Sequence, residues 1–144
     1  MKEIPPIKAV MTPFPHFVDC DQPITKALQL MERHGIRHLP VKDGEALVSV
    51  ITDRDIRAAM GPAVASAPTR RLRVRDVMDR EAYVVELSEP LDVVATHMAE
   101  RRLDCALVVK SERLVGIFTM VDACRCLGGV FRSLFPRGHG DDAA

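Results

Sequence analysis

The stretch that decides the fold ends an apolar run and opens a polar one: Leu47-Val48-Ser49-Val50-Ile51-Thr52-Asp53-Arg54-Asp55. The apolar residues stop at Thr52, and Asp55 follows three residues later. The same arrangement returns at Leu114-Val115-Gly116-Ile117-Phe118-Thr119-Met120-Val121-Asp122. Thr119 and Asp122 each lie 67 residues after their counterparts. Because an internal repeat sets the architecture of a chain, this recurrence predicts two related halves.

The two halves align at that offset without a gap, and each predicts the order strand, helix, strand, strand, helix. In the first half Ile24, Ala27, Leu28 and Met31 have the i, i+3, i+4, i+7 spacing of one helix face. The apolar strands around 47–51 and 114–118 are nearly continuous, which favours burial on both faces. One three-stranded sheet has too small a core on its own. We therefore predict an α/β (α+β) fold of two pseudo-symmetric β-α-β-β-α repeats packed through their sheets.

The predicted domain limits follow these repeats. Residues 1–62 form repeat 1, 63–72 a linker, 73–128 repeat 2, and 129–144 a C-terminal extension whose end is disordered. The linker is indicated by the Pro-, Ala- and Ser-rich run from Gly61 to Thr69. The segment from Val130 to Phe135 is apolar and has no counterpart in repeat 1. We expect it to pack either on the pair or against another subunit.

Charge and hydropathy argue against several classes of protein. Lys+Arg and Asp+Glu are both 20, whereas a general nucleic-acid binder needs a basic excess to release phosphate counterions. No apolar run approaches the ~20 residues of a membrane span, and the N-terminus lacks the apolar core of a signal peptide. We therefore expect a cytoplasmic protein that binds neither nucleic acid nor membrane. Its four cysteines are then reduced thiols.

Several motifs occur in the same order in both halves, and together they resemble a known family. Met-Thr-Pro at 11–13, Gly-Ile-Arg-His-Leu-Pro-Val at 35–41 and Val-Ile-Thr-Asp-Arg-Asp-Ile at 50–56 are similar to a CBS domain. The second half, from Arg75-Asp76-Val77-Met78 to Thr119, resembles another. The resemblance implies a CBS pair, or Bateman module, in its stand-alone form. Such pairs bind AMP, ADP, ATP or S-adenosylmethionine in clefts between the repeats, act as regulatory sensors, and often form homodimers.

The resemblance also implies binding residues. The threonine that closes the third strand of a repeat bonds phosphate and the aspartate three residues later bonds ribose, here Thr52 with Asp55 and Thr119 with Asp122. Adenine lies against the second strand and its lead-in, namely Ile36, Arg37, His38, Leu39 and Pro40 in repeat 1, and Leu103, Asp104, Cys105 and Ala106 in repeat 2.

Charged residues near the motifs distinguish the two implied sites. Arg54 lies inside the first motif and is a candidate phosphate partner, whereas its counterpart is Val121. The counterpart of Arg37 in the second repeat is Asp104, which carries the opposite charge. We therefore expect the Thr52–Asp55 site to bind phosphate better than the Thr119–Asp122 site. The family has a glycine at the position of Ser49, and the second repeat keeps it as Gly116. The larger side chain of Ser49 is expected to narrow the first cleft.

Other readings stay open. Thr-x-x-Asp before a helix is also a capping box, and capping alone explains either copy. The histidines show no metal-ligand spacing, and no catalytic constellation is visible, so we expect no metal site, no required cofactor and no enzyme activity. One rival function is a ligand-independent structural module that dimerises through residues 131–135, with an unknown protein target. A metal or redox sensor is a third, supported only by the cysteines.

Overall fold

The computed structural model describes residues 3–61 and 72–138. Residues 63–71 of the predicted 63–72 linker and the chain end at 139–144 lie outside the described residues. Within them a 3-10 turn (Ile7–Ala9) is followed by strands and helices in the order β1 (Thr12–Pro13), β2 (Val18–Asp19), α1 (Ile24–His34), β3 (His38–Asp43), β4 (Ala46–Thr52), α2 (Asp53–Met60), α3 (Val74–Val77), β5 (Val84–Glu86), α4 (Leu91–Arg101), β6 (Cys105–Lys110), β7 (Arg113–Thr119) and α5 (Met120–Leu134).

The first repeat forms a three-stranded sheet in the order β2-β3-β4, with β2 parallel and β4 antiparallel to β3. Helix α1 buries Ile24, Ala27 and Met31, which is the face that the helical spacing predicts. It ends at Gly35, whose φ of 63° places the glycine in the left-handed conformation typical of a helix C-cap. The mixed α+β fold is confirmed.

The second repeat follows the same plan, with β5 parallel and β7 antiparallel to β6. Its hairpin turns at Ser111 and Glu112, with φ values of 50° and 67°, so two non-glycine residues adopt the left-handed region here. The sequence did not predict a fourth strand in this sheet. β1 from the N-terminus pairs antiparallel with β7, placing Thr12 opposite Ile117.

The two sheets pack against each other through a small cluster made of Val50, Cys105, Leu107 and Ile117. In β4 the expectation of burial along both faces holds only in part: residues 49–51 are buried, whereas Val48 is 41% exposed. The outer half of β4 therefore faces solvent. Each repeat keeps its own helix-covered core on the other side of its sheet.

The segments that precede each repeat are exchanged. We call residues 5–13 the N-terminal arm and residues 72–79 the central arm. Ile7 of the N-terminal arm is fully buried in the core of the second repeat, and Val74 of the central arm in the core of the first. The hydrogen bonds are matched at the 67-residue offset: Ile7 N donates to Glu89 O and Val74 N to Gln22 O, both at 2.8 Å.

Helix α5 continues through the predicted C-terminal extension as far as Leu134. Val130 and Phe131 remain 54% and 53% exposed, so this segment does not pack on the pair. No helix among the described residues is both long enough and apolar enough to cross a membrane.

Candidate functional site

A cleft of about 590 Å³ opens between the two repeats. Three segments form its walls: the end of the N-terminal arm with the residues after it, the α1–β3 connection, and the β7–α5 junction. The lining residues are Thr12, Pro15, His16, Gly35, Ile36, Arg37, His38, Ile117, Thr119, Met120, Val121, Asp122 and Arg125. Both repeats therefore contribute to a single site.

Asp122 is the most heavily bonded side chain of the cleft and is only 6% exposed. Its Oδ2 accepts hydrogen bonds from Thr119 N at 2.9 Å and Thr119 Oγ1 at 3.2 Å. The Asp122 N–H in turn donates to Thr119 Oγ1 at 3.4 Å, which completes a capping box at the start of α5. The capping interpretation is thus correct for this motif. It also holds the carboxylate at the wall of the cleft, where a diol could bond it.

The other oxygen of Asp122 connects it to two further elements. Thr12 Oγ1 donates to Oδ1 at 3.3 Å across the β1–β7 pair, and Arg125 Nη1 donates to the same oxygen at 3.1 Å. The N-terminal arm is therefore bonded directly to the carboxylate that the family resemblance assigns to ribose.

Positive charge in the cleft comes from Arg37 and Arg125. The sequence pattern groups Arg37 with Thr52, but the structure places Arg37 on the wall of the Thr119–Asp122 cleft. Its backbone carbonyl still accepts a hydrogen bond from Asp53 N at 3.0 Å, so Arg37 lies between the two motifs. The charge argument that favoured phosphate at Thr52 therefore loses one of its two arginines.

Two of the histidines stack at the edge of the cleft. The rings of His16 and His34 are 3.6 Å apart between centroids and nearly parallel, at 11°. Burial lowers the pKa of His34, and the charges of His16 and Arg33 lower it further. Burial also lowers the pKa of His38, against the opposing effect of the Asp104 and Asp53 carboxylates. Both shifts favour neutral imidazoles.

The first motif forms the same local structure at the start of α2. Thr52 N donates to Asp55 Oδ2 at 3.2 Å, and Asp55 N donates to Thr52 Oγ1 at 3.1 Å. Acidic side chains lie near this end, together with Arg54. Burial and the charge of Asp55 raise the pKa of Asp79, and Asp104 acts on His38 from the neighbouring repeat.

Several residues implied to contact adenine lie in the hydrophobic cores. Leu39, Pro40 and Ala106 are buried, and Leu103 packs against the core of the second repeat. Cys105 belongs to the cluster between the sheets, where burial and the charges of Asp104 and Asp79 raise its pKa to about 12. These five residues are not among those that line the Thr119–Asp122 cleft, and their roles as ligand contacts stay predictions.

Ser49 and Gly116 differ in the way that they hold the arms. The Ser49 hydroxyl donates to the backbone carbonyl of Asp79 in the central arm, so it is directed at the protein and does not narrow a cleft. At Gly116 a Cβ atom would come within 2.9 Å of Met11 Cγ and closer still to the Met11 sulfur. The glycine therefore allows the N-terminal arm to lie close to β7.

A possible cation site lies at Asp19, Cys20 and Asp21, whose ligand atoms all fall within 4.8 Å of one another. Both carboxylates already have partners within the protein. Asp19 accepts hydrogen bonds from Asp21 N and Gly44 N, and Asp21 forms salt bridges with Arg73 and Arg75. This cluster acts as an ion-paired contact between the central arm and the first repeat.

Four of the residues that line the cleft were not predicted from the sequence: Thr12, Pro15, His16 and Arg125. Thr12 and His16 lie at the cleft because β1 pairs with β7. This contact joins residues far apart in the sequence, so local sequence patterns do not predict it. Arg125 could have been found, because a residue three positions after Asp122 lies on the same helix face.

Comparison with known proteins decides the family. The CBS domain profile matches residues 7–62 and 74–129. The chain belongs to the CBS domain family. L-aspartate semialdehyde sulfurtransferase of Methanocaldococcus jannaschii is 29% identical over 125 residues, which cover 85% of this chain and 23% of that protein. The chain spans less than a quarter of the length of the first curated relatives that it matches.

Two solved structures of CBS proteins with adenosyl compounds share this fold. The CBS domain pair of protein MJ0100, in complex with 5′-methylthioadenosine and S-adenosyl-L-methionine, has a TM-score of 0.78 and 28% identity over 89% of this chain and 99% of that one. CBSX2 in complex with AMP has a TM-score of 0.76 and 27% identity over 89% and 99%. Both of these neighbouring CBS proteins therefore have adenosyl compounds bound in their structures.

Proposed function

We propose that this CBS pair is a regulatory sensor that binds an adenosyl ligand, such as AMP, ADP, ATP or S-adenosylmethionine, in the cleft at Thr119–Asp122. The supporting observation is that the cleft is built from both repeats and from the N-terminal arm. A ligand in it touches all three, so binding changes their relative stability and signals to a protein target. The pseudo-symmetric Thr52–Asp55 end is a second candidate for the same ligand class.

The arrangement can bind each part of such a ligand. Pro15, Ile36 and Ile117 provide apolar surface for a base. Asp122 provides a carboxylate acceptor for ribose hydroxyls, which would replace the Thr12 and Arg125 donors on its Oδ1 atom. The start of α5, with the Thr119 hydroxyl, favours an anionic group through the positive end of the helix dipole. The Thr12 and Thr119 hydroxyls both donate to the Asp122 carboxylate and so contribute to the structure of the cleft wall, and we propose binding without chemistry.

Isothermal titration calorimetry with AMP, ATP and S-adenosylmethionine tests this proposal. Asp122→Ala should weaken binding at least tenfold, because it removes the ribose acceptor. It also removes one half of a capping box, which is worth about 0.5–2 kcal/mol of stability. Asp76→Ala is the matched control, since Asp76 occupies the same capping position in α3 but lies away from the cleft. Absence of binding for all three ligands, or equal weakening by both variants, would contradict the proposal.

Self-association is a second proposed property. An apolar face at the end of α5 is formed by Leu127, Val130, Phe131 and Leu134 and continues into the C-cap residue Phe135; each side chain is between 53% and 69% exposed. This spacing of i, i+3, i+4, i+7 and i+8 is typical of a helix that packs on a partner. We propose that it pairs with the same face of a second copy. Phe131→Ser with Leu134→Ser should halve the mass measured by light scattering, whereas the control Val93→Ser, on the exposed face of α4, should not. An unchanged mass in the double variant would reject this interface.

A further inference from the structure

We propose that residues 12–14, at the end of the N-terminal arm, form a strained latch, and that an adenosyl ligand in the cleft detaches them from β7. These residues, called the latch below, connect the arm to the cleft wall at Pro15. The inference rests on the proposed function, because the ligand in the Thr119–Asp122 cleft is the trigger. It adds the part of the chain that moves when the ligand binds.

The acceptor positions of the Asp122 carboxylate are all in use. Its Oδ2 accepts from Thr119 N at 2.9 Å and from Thr119 Oγ1 at 3.2 Å. Its Oδ1 accepts from Thr12 Oγ1 at 3.3 Å and from Arg125 Nη1 at 3.1 Å. A carboxylate has about four lone-pair positions, and these hydrogen bonds fill them. Ribose hydroxyls can therefore bond Asp122 only by displacing donors that the protein already supplies.

Loss of the two Oδ1 donors has unequal consequences. The Arg125 side chain is 71% exposed and lies on the same helix as Asp122, so it can turn into solvent without a change in the backbone. Thr12 belongs to β1, and its hydroxyl forms the longest of the bonds that the carboxylate accepts. When a ribose hydroxyl takes this position, the arm loses the side-chain bond between β1 and α5.

Phe14 is strained at the same place. Its φ of 49° lies in the left-handed region, which a bulky side chain rarely adopts. Pro15 follows directly and favours an extended conformation for the residue before it, so the left-handed conformation is disfavoured twice. The phenyl ring is 91% exposed, and its packing therefore does not offset the strain. The β1–β7 pairing and the bond from Phe14 N to Val115 O at 3.2 Å hold the residue in this conformation.

The other repeat shows that the fold does not require this strain. Glu81 corresponds to Phe14 at the 67-residue offset, and of these two described residues only Phe14 has a positive φ. The counterpart of Thr12 is Asp79, and an ionised carboxylate has no proton to donate to Asp55. The latch is therefore specific to the end of the molecule that carries the cleft.

The two features of the latch predict opposite effects on ligand affinity. Because the ligand binds the detached state, its apparent affinity is reduced by the fraction of molecules in which the latch is attached. A substitution that weakens attachment should tighten binding, and one that relieves the strain of attachment should weaken it. Thr12→Val removes the hydroxyl and keeps the β-branched shape. Phe14→Asn relieves the strain, because asparagine adopts a positive φ far more readily than phenylalanine.

Isothermal titration calorimetry of the full chain with AMP and with 5′-methylthioadenosine tests these effects, since both ligands carry the ribose hydroxyls. Thr12→Val should tighten the binding of both by about twofold to tenfold, the range for the net loss of one hydrogen bond. Phe14→Asn should weaken both by a similar factor. Glu81→Asn is the matched control and should leave both affinities unchanged. Weaker binding in Thr12→Val would overturn the inference, because Thr12 would then be a ligand contact rather than a competitor.

Hydrogen exchange at the amide of residue 14, which bonds Val115 O, reports directly on the latch. Saturating AMP should speed this exchange by about threefold or more, while the Ile7 amide, bonded to Glu89 O, should not change. Without ligand, and relative to the unfolded rate, Thr12→Val should speed exchange at residue 14 and Phe14→Asn should slow it. Slower exchange with AMP, or no response to either variant, would rule out the latch.

Failure of the proposed function gives a different result. The unaltered chain then binds neither compound, while the ligand-free exchange of the two variants still decides whether the latch is strained.

Discussion

Gly116→Ala tests how closely the N-terminal arm must approach β7. The added Cβ would lie within 2.9 Å of Met11 Cγ, closer than real Cβ contacts allow. Overpacking of this kind costs about 1–3 kcal/mol, while replacing a strand glycine by alanine returns about 0.5–1 kcal/mol of chain entropy. The net loss in the free energy of unfolding should be about 1–2 kcal/mol, which corresponds to a fall of about 2–8 °C in Tm for a chain near this size.

A double-mutant cycle with Met11→Ala isolates the contact, measured by urea unfolding. Without the Met11 side chain, Gly116→Ala should be neutral or stabilising, so the coupling energy should reach about 1–3 kcal/mol. Ser49→Ala is the control in the other repeat. It adds no atoms and removes the hydrogen bond to Asp79, at a cost of about 1 kcal/mol that is independent of Met11. Additive effects of Gly116→Ala and Met11→Ala would refute the close approach.

Three further predictions follow from burial and contacts. Ile7→Ala should lower the free energy of unfolding by about 2–5 kcal/mol and should increase hydrogen exchange in α4 of the second repeat rather than in α1. Val74→Ala should instead increase hydrogen exchange in α1 of the first repeat. Faster exchange in α1 for Ile7→Ala, or in α4 for Val74→Ala, would contradict the arm exchange. At pH 8 Cys105, with its pKa of about 12, should react with iodoacetamide roughly a thousandfold more slowly than a thiol of pKa 9, and mass spectrometry should find exposed Cys124 labelled first. Folding lowers the pKa of His34, so the folded state favours the neutral imidazole. The stabilisation from His34 is therefore complete above its unfolded pKa of 6.5 and is lost as the pH falls through its lower pKa in the folded state. NMR titration should give a midpoint below 6.5 that rises in His16→Gln, and an unmoved midpoint would exclude coupling between the stacked rings.

The sequence predicted the features that depend on neighbouring residues. Helix α1 and the capping boxes at Thr52 and Thr119 all arise within a few positions of the chain. The repeat at a 67-residue offset then predicted the two pseudo-symmetric halves, because segments with matched sequence patterns adopt matched folds. The threonine–aspartate motifs were found for the same reason.

The features that the sequence did not reveal depend on contacts between the repeats. Nothing local indicates that Ile7 enters the core of the distant repeat, or that β1 joins the second sheet. The same limit explains Arg37. Its sequence neighbours belong to the first repeat, but the approach of the two sheets brings it to the cleft of the second motif.

The exchanged arms give this chain the connectivity of a swapped homodimer whose two members have been joined. Each repeat lacks the segment that completes its core and receives it from the other. An ancestor with a single repeat would have met that need by pairing with a second copy, and duplication with fusion would preserve every one of those contacts. After fusion the two copies no longer had to be identical. They could then diverge in charge, so that a site once constrained to be symmetric became two different sites.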